Sequence, residues 1–495
     1  MISSKELNAL GIPNHTQIMP PAIKVINIAL SQGADAAVMC ENIRKLALDP
    51  VSMVDDTLLG GIAQALMEVF PNGTVFIPRT DPAPWQQWGD VHVEDSAVKQ
   101  MENACSLPCT VRGALMPDVH TGYGLPIGGV LAVKDAVIPF AVGVDIACRM
   151  RLTVLDMPLS KLISRREDFI AAIEKDTRFG VGANFERRYT RDNPVMDEDW
   201  SICPVTRSNK DKAWKQLGSS GGGNHFVEFG ELHLEKPAQL GGQHMEKGVY
   251  LALLSHSGSR GTGEAVADFY SKRAKELRPN LPQAIKNLAW LDLTGSDGQE
   301  YWAAMELMGR YAAANHELIH SHLLRTLGVE ALTHVENHHN FAWREEHDGE
   351  TVIVHRKGAT PAGLGVQGIV PGSMGTSGFV VQGKGNEASL NSCSHGAGRL
   401  MSRAAAFREF SMENVRVYLE ERGVELISGG LDEAPMAYKD IHAVMAAQSD
   451  LVDILARFEP CLVKMAPGDG EPPDWKKKKD KKKRMLQAAS GGDLQ

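Results

Sequence analysis

The sequence predicts an α+β fold, and three patterns predict it. Apolar residues recur at three- and four-residue steps between Ser3 and Phe70, the helical period. Apolar or alternating segments that border glycine turns recur within 116–152 and at 226–232, 249–254 and 351–356, and these read as strands. A long amphipathic segment, Gln299–Leu327, reads as a helix beside them. The 495 residues have room for two or three average domains or for one large unit.

Taken in order, residues 1–90 form a helical layer that carries no evident chemistry and ends in a Pro- and Trp-bearing loop, Pro78 to Trp88. A short helix around Ser96–Ala104 follows. The central segment, Met116 to Leu152, then holds a Met-Pro-Asp turn, a glycine cluster, a buried strand and an Asp145-x-x-Cys148 step. A carboxylate and a thiol three residues apart among Gly, Val, Ile and Ala point to a metal, because a buried acid needs a partner. The plainer reading of this pair alone is a core thiol and a turn residue. Leu159–Lys175 reads as an amphipathic helix, and the polar stretch 184–212 as an insertion.

The run GSSGGGNHFVEFGEL, from Gly218 to Leu232, predicts a strand leaving a turn that carries Asn224 and His225. Next, the strand Val249–Leu254 runs into His256-Ser-Gly-Ser-Arg260-Gly-Thr-Gly. Backbone amides of such a turn, with a guanidinium, suit phosphate oxygens. No lysine follows, so the turn is not a P-loop. Helices are expected at Gly263–Leu277 and Gln299–Leu327, and His316, His320 and His322 read as ordinary residues of the second. His338 and His339, the strand Thr351–Arg356, and His395 in Ser-His-Gly-Ala-Gly-Arg399 complete a set of histidines beside glycine turns. Jointly these favour a metal or phosphate site, although His395 alone could simply cap a helix beginning near Arg399. A helix Arg399–Glu409, a strand near Val424–Ile427, and a last helix and strand ending at Lys464 close the chain's ordered part.

Seven scattered cysteines, without a signal peptide or long apolar run ahead of them, fit a reducing cytoplasm and no membrane association. The net charge is −9, yet Lys476–Arg484 carries eight bases against one acid. Residues 467–495 therefore read as a basic disordered tail able to raise RNA affinity through counterion release.

The segments MPDVHTGYGLPIGGVLA, GVDIACRM, GGGNHFVEF, SHSGSRGTG, HHNFAW, HRKGATPA, PGSMG, SHGAGRLMSR and EAPMAYKD, in this order, resemble the RtcB family of RNA ligases. The resemblance implies one large catalytic unit over residues 91–466, with mixed or antiparallel sheets around a central metal site and helices outside. It further implies a GTP- and manganese-dependent ligase that joins RNA 3′-phosphate or 2′,3′-cyclic phosphate ends to 5′-hydroxyl ends. An archease-like activator is a further partner that it raises. By resemblance, two Mn2+ ions sit among Asp145, Cys148, His225, His256 and His339, with the Cys148 thiolate bridging. His395 becomes the guanylylated nucleophile, and Asp118 and Arg260 lie near the metals and phosphates. Asn224, Glu228, Ser373, His395, Gly396, Tyr438 and Lys464 map onto the guanylate pocket. The family's Asp-Ile-Gly-Cys-Gly step is here Asp145-Ile-Ala147-Cys148-Arg149, which sets a large cation beside the thiol in sequence. That departure and the tail keep an alternative open, a guanylyltransferase that caps nucleic-acid 3′-phosphates with little ligation. A non-catalytic RNA-binding protein and a zinc hydrolase are the remaining readings.

Overall fold

Side-chain alternation builds the centre of the molecule. Met150, Leu152 and Val154 of the strand Arg149–Leu155 face the same way as Leu232, Leu234, Ala252 and Leu254 of Phe226–Leu234 and Gly248–Ser257, and together they form one buried cluster. The intervening residues Val227, Phe229, Leu251 and Leu253 face outward. They pack on Phe169 and Ile173 of the helix Arg166–Asp176 and on Ile319 and Leu323 of the helix Ser296–Leu327. A sheet apolar on both faces must be covered on both. Helices cover the outside, and the curl of the sheet covers the inside.

The computed structural model describes residues 1–70, 79, 81–90 and 92–468. Its main sheet runs Ala331–His338, Arg149–Leu155, Gly248–Ser257, Phe226–Leu234, Val452–Met465, Gly378–Gly383, Gln367–Val370, antiparallel along this path, and the short strand Glu425–Ser428 adds to Val452–Met465 in parallel. The two end strands meet, and the Ile369 amide donates to Asn337 Oδ1 at 2.8 Å, so the sheet nearly closes into a barrel. A second sheet is ordered Trp85–Gln87, Thr110–His120, Ile127–Val133, Glu350–Lys357, Asn340–His347. His339 is the one residue between the barrel strand Ala331–His338 and the second-sheet strand Asn340–His347. The result is the expected α+β unit, with the central segment shared between the two sheets.

The helices Ser4–Ala9, Met19–Ser31, Ala36–Leu48 and Gly60–Val69 form the N-terminal layer. Leu7, Ile26, Ile43 and Ile62 enter the same continuous core as Val266, Tyr270, Tyr301 and Leu307 of the central helices. Among the described residues, no helix is long and apolar enough to cross a membrane.

Three elements differ from expectation. The Leu159–Lys175 helix breaks at Arg165 into Ser160–Ser164 and Arg166–Asp176. Within the polar stretch 184–212, Pro204–Gln216 starts a helix, with Pro at its first position and Cys203 as N-cap; only three of its residues are buried, which hides its period. The helix expected from Arg399 starts at Arg403 with Ser402 as its cap, so His395 caps nothing. Part of the Pro78–Trp88 loop and residues 469–495, with the basic block, lie outside the described residues.

Candidate active site

Strand ends deliver the site. His256 lies near the end of Gly248–Ser257, His225 just before Phe226–Leu234, His339 between the two sheets, and Asp145 and Cys148 on the loop that opens Arg149–Leu155. That loop is pinned to the His339–Asn340 segment. The His339 amide donates to the Cys148 carbonyl (3.0 Å), the Ala147 amide to the Asn340 carbonyl (2.7 Å), and Asn340 Nδ2 to the Asp145 carbonyl (3.3 Å).

The five side chains converge. Cys148 Sγ lies 3.1 Å from His256 Nε2 and 3.4 Å from His225 Nε2, His256 Nε2 lies 3.2 Å from His339 Nε2, and His225 Nε2 lies 2.9 Å from Asp145 Oδ2. They form two groups of mutually close donors, Cys148–His256–His339 and Asp145–Cys148–His225, which share the thiol. His256 Nδ1 is 3.0 Å from the Asn224 carbonyl, which can only accept, so Nδ1 carries the proton and Nε2 a lone pair. Burial drives the His256 imidazole down to about 3 and His339 well below its ordinary value, which favours the neutral form of both, the form able to coordinate a metal. Burial, then the neighbouring Asp145 carboxylate, pushes the Cys148 thiol far up. A thiolate at this position therefore requires a cation. The donor set fits one metal ion on each side of Cys148.

His395 sits beside this cluster, its ring centroid 5.0 Å from that of His339. Asp118, with no solvent exposure, accepts from His395 Nδ1 (2.6 Å), from the His395 amide (3.0 Å) and from the Gly396 amide (3.3 Å), all at Oδ2. Burial alone would raise the Asp118 carboxyl, but His395, with His120 and Lys439, holds it below its usual range. An ionised Asp118 accepting from Nδ1 selects, for the neutral ring, the tautomer whose Nε2 lone pair is free to act as a nucleophile. Lys439 Nζ donates to the Pro117 and Val119 carbonyls (3.1 and 2.7 Å), fixing the bend that aims Asp118. Gly358 (φ +61°) is required here, since a Cβ would come within 2.5 Å of Ile127 and 3.0 Å of His395.

Arg260 opens the helix Arg260–Leu277 in a left-handed conformation, φ +59°. Its Nε donates to Ser219 Oγ at 3.0 Å, and a Cβ on Gly221 would lie 2.1 Å from Arg260 Nη1 and 2.4 Å from His225 Nδ1. The glycine turn thus seats both residues.

The guanylate positions are less tightly grouped. Glu228 stands opposite Leu254 and Val463, buried and without a hydrogen-bonding side chain among the described residues; burial pushes its carboxyl well up. The loops of Ser373 and Tyr438 reach this end of the sheet through Met374, Ala434 and Met436, which pack with Val463, Met465 and Phe226. Ser373 Oγ is 3.0 Å from Thr376 Oγ1, and Tyr438 donates to Glu433. The Asn224 carbonyl is committed to His256. Lys464 stands opposite Val227, on the outer face, with Nζ 3.6 Å from Glu174 Oε1 and 5.7 Å from the Phe179 ring centroid. The fold therefore groups Asp145, Cys148, His225, His256, His339, His395, Asp118 and Arg260 but turns Lys464 to the opposite face from Glu228.

Arg149, although next to Cys148 in sequence, belongs to the other face of its strand. It bonds Glu336 (3.3 Å) and the Gly309 carbonyl (3.2 Å) against the long helix, so the large cation does not stand in the metal cluster. Ala147, where the family has glycine, is held at φ +57°, at a cost of about 1 kcal/mol. Sequence reasoning left several neighbours without a role. Arg403 lies 2.9 Å from Glu433 and against Gly223, and Arg399 lies 3.0 Å from Glu433. Lys357, whose amine is driven down to about 7 by burial, donates to the Tyr123 carbonyl at 2.5 Å. Arg399, Arg403 and Lys357 lie inside quoted motifs, which was the available signal.

The family model described as "tRNA-splicing ligase RtcB" matches residues 100–203 and 197–465. The chain belongs to the RtcB family. It is similar to the RNA-splicing ligase RtcB of Escherichia coli (strain K12), 35% identical over 410 residues that cover 76% of this chain and 96% of that protein. It is also similar to the tRNA-splicing ligase RtcB of Nanoarchaeum equitans, at 33% over 442 residues, 75% of this chain and 91% of that protein. A third relative, the tRNA-splicing ligase RtcB of Methanococcus maripaludis, is 30% identical over 424 residues, 71% of this chain and 87% of that protein. The RtcB match begins at residue 100, past the N-terminal helical layer.

Proposed function

We propose that this chain is an RNA ligase that joins 3′-phosphate or 2′,3′-cyclic phosphate ends to 5′-hydroxyl ends, with GTP as the activating nucleotide. The observation that carries the reading is the Asp118–His395 pair at 2.6 Å beside the sulfur-and-imidazole cluster, in a chain of the RtcB family. His395 Nε2 attacks the α-phosphorus of GTP, forming an N–P bond as pyrophosphate leaves. Asp118 holds the opposite ring nitrogen and stabilises the charge that develops on the imidazole. The guanylyl group then passes from His395 to an oxygen of the RNA 3′-phosphate, freeing the imidazole. Attack by the 5′-hydroxyl on the activated 3′-phosphorus forms the phosphodiester, releases GMP and gives up the hydroxyl proton. A cyclic phosphate is first opened by water.

Asp145, Cys148, His225, His256 and His339 would hold two Mn2+ ions, which neutralise charge on phosphate oxygens. A thiolate and imidazoles by themselves favour zinc, so manganese rests on the resemblance. Glu228, buried and without a hydrogen-bonding side chain among the described residues, would as a carboxylate accept from the N1–H and N2–H edge of guanine. Arg260 is placed for phosphate oxygens. A cytoplasmic setting follows from the same reading.

The capping alternative drew on Arg149 and on the basic tail; the Arg149 side chain points away from the cluster, and the tail lies outside the described residues. Incubation of a 3′-phosphate RNA and a 5′-hydroxyl RNA with GTP and Mn2+ tests the proposal. Joined product is expected; accumulation of 3′-guanylylated RNA without joining would favour capping, and neither product would sink both.

A further inference from the structure

The helix Ser296–Leu327 buries an amide that serves nothing in its own helix. Asn315 has no solvent exposure, and its side chain makes three bonds, all outside the helix. Oδ1 accepts from the Gly218 amide (2.7 Å), and Nδ2 donates to the Ser219 carbonyl (3.0 Å) and to Ser257 Oγ (3.1 Å). Ser257 Oγ in turn donates to the Ser220 carbonyl at 2.5 Å. Asparagine is a weak helix former, and burying an amide costs free energy unless every bond is made. The bonds made here clamp the glycine turn to the strand that bears His256.

That turn seats two functional side chains. Ser219 Oγ accepts from Arg260 Nε, and Gly221 lies directly against both Arg260 and His225. The neighbouring His316 grips the same strand on both sides of His256, through Ser255 Oγ (2.9 Å) and the Ser257 carbonyl (3.1 Å). Because that carbonyl can only accept, His316 Nε2 donates to it and Nδ1 accepts from Ser255, so the clamp has one proton arrangement.

We propose that Asn315 is a positioning residue for His225 and Arg260, holding the turn 218–223 in the shape that brings a metal ligand and a phosphate-binding guanidinium together. The proposal rests on the metal-site reading above. Asn315→Asp keeps shape but removes the Nδ2 donor, and three measurements follow: titration of the metal-free protein with Mn2+ alone, amide hydrogen exchange across 218–223, and thermal unfolding. The buried hydroxyl of Thr110, which donates to the Ala104 carbonyl six residues earlier and touches neither Asn315 nor the turn, supplies the control Thr110→Val.

In Asn315→Asp, Mn2+ affinity falls about 10-fold or more, and exchange in 218–223 quickens, while Thr110→Val, destabilised to a similar degree, keeps wild-type values of both. Unchanged Mn2+ affinity and exchange in Asn315→Asp, or an equal loss in Thr110→Val, overturns the proposal. Wild-type protein that takes up no Mn2+ refutes the metal reading, and exchange then decides the role of Asn315 on its own. If Asn315→Asp fails to fold, Ser257→Ala, which removes one of the three Asn315 bonds together with the bond to the Ser220 carbonyl, is expected to move both readouts in the same direction; no movement overturns the proposal.

Discussion

The cluster around Cys148 and the ladder that holds Glu228 and Lys464 belong to one sheet and meet at Phe226–Leu234, yet they are built differently. At the cluster, short side chains leave strand ends and turns toward one point, and sulfur and nitrogen atoms come within 3.1–3.4 Å of each other. On the ladder, the pleat decides, and it separates two ionisable side chains. Pro460 stands opposite Gly230 while Leu462 stands opposite Phe229, so a bulge absorbs Cys461. Without it Lys464 would stand opposite Phe226, on the face of Glu228. With it Lys464 turns to Glu174. Convergence at strand ends tolerates small shifts in register, whereas a site residue in mid-strand is moved to the other face by one extra residue.

Breaking the first region is expected to have the largest effect. Asp118→Asn replaces the carboxylate that fixes the His395 tautomer with an amide that can also donate, and joining should fall by up to about 10^4-fold, the size found when the orienting carboxylate of a Ser-His-Asp triad becomes an amide. Single-turnover joining assays measure this, and near wild-type rates would deny Asp118 that role.

Glu228 sharpens the contrast. Glu228→Ala should cut the preference for GTP over ATP by about 10- to 100-fold, since guanine's donors lose a buried acceptor. Competitive nucleotide binding reads this directly. The bulge predicts the opposite for its neighbour. Lys464→Ala should leave GTP affinity close to wild type while lowering the unfolding temperature, and a loss of GTP affinity equal to that of Glu228→Ala would show that the lysine reaches the nucleotide after all.

The smallest effect lies away from both regions. His347 bonds Glu345 (3.0 Å) and Glu387 (2.9 Å), and these carboxylates raise its imidazole above the ordinary 6.5. Because the folded value is the higher, the stabilisation is fully present below 6.5 and is lost as pH rises through the raised value. Chemical denaturation across that window should show a decline in wild type that is absent from His347→Gln; parallel curves would remove the assignment.

These differences follow what a single sequence can carry. Asp145, Cys148, His225, His256, His339 and His395 were legible as a set because their motifs resemble the RtcB family; the glycine turns beside His225, His256 and His395 by themselves only favoured a metal or phosphate site. Alternation and apolar runs marked the barrel strands Phe226–Leu234 and Gly248–Ser257, whereas Ala331–His338, Gln367–Val370 and Gly378–Gly383 were not read as strands. Asn315, His316 and His320 were not, because polar residues on an amphipathic helix look solvated until the partner strand is known, and here Ser255 and Ser257 supply it. Arg149 looked like an intruder at the thiol because adjacency in sequence reads as adjacency in space, yet in a strand the next residue faces away. The helix Pro204–Gln216 was hidden by its own polarity: only Thr206, Ala213 and Gln216 are buried along it.

The most direct test of the central claim is covalent labelling. Wild-type protein incubated with α-32P-labelled GTP and Mn2+ should acquire an acid-labile, base-stable radiolabel, and His395→Ala should acquire none. Equal labelling of the two proteins, or no label on folded, metal-loaded wild type, would contradict the account.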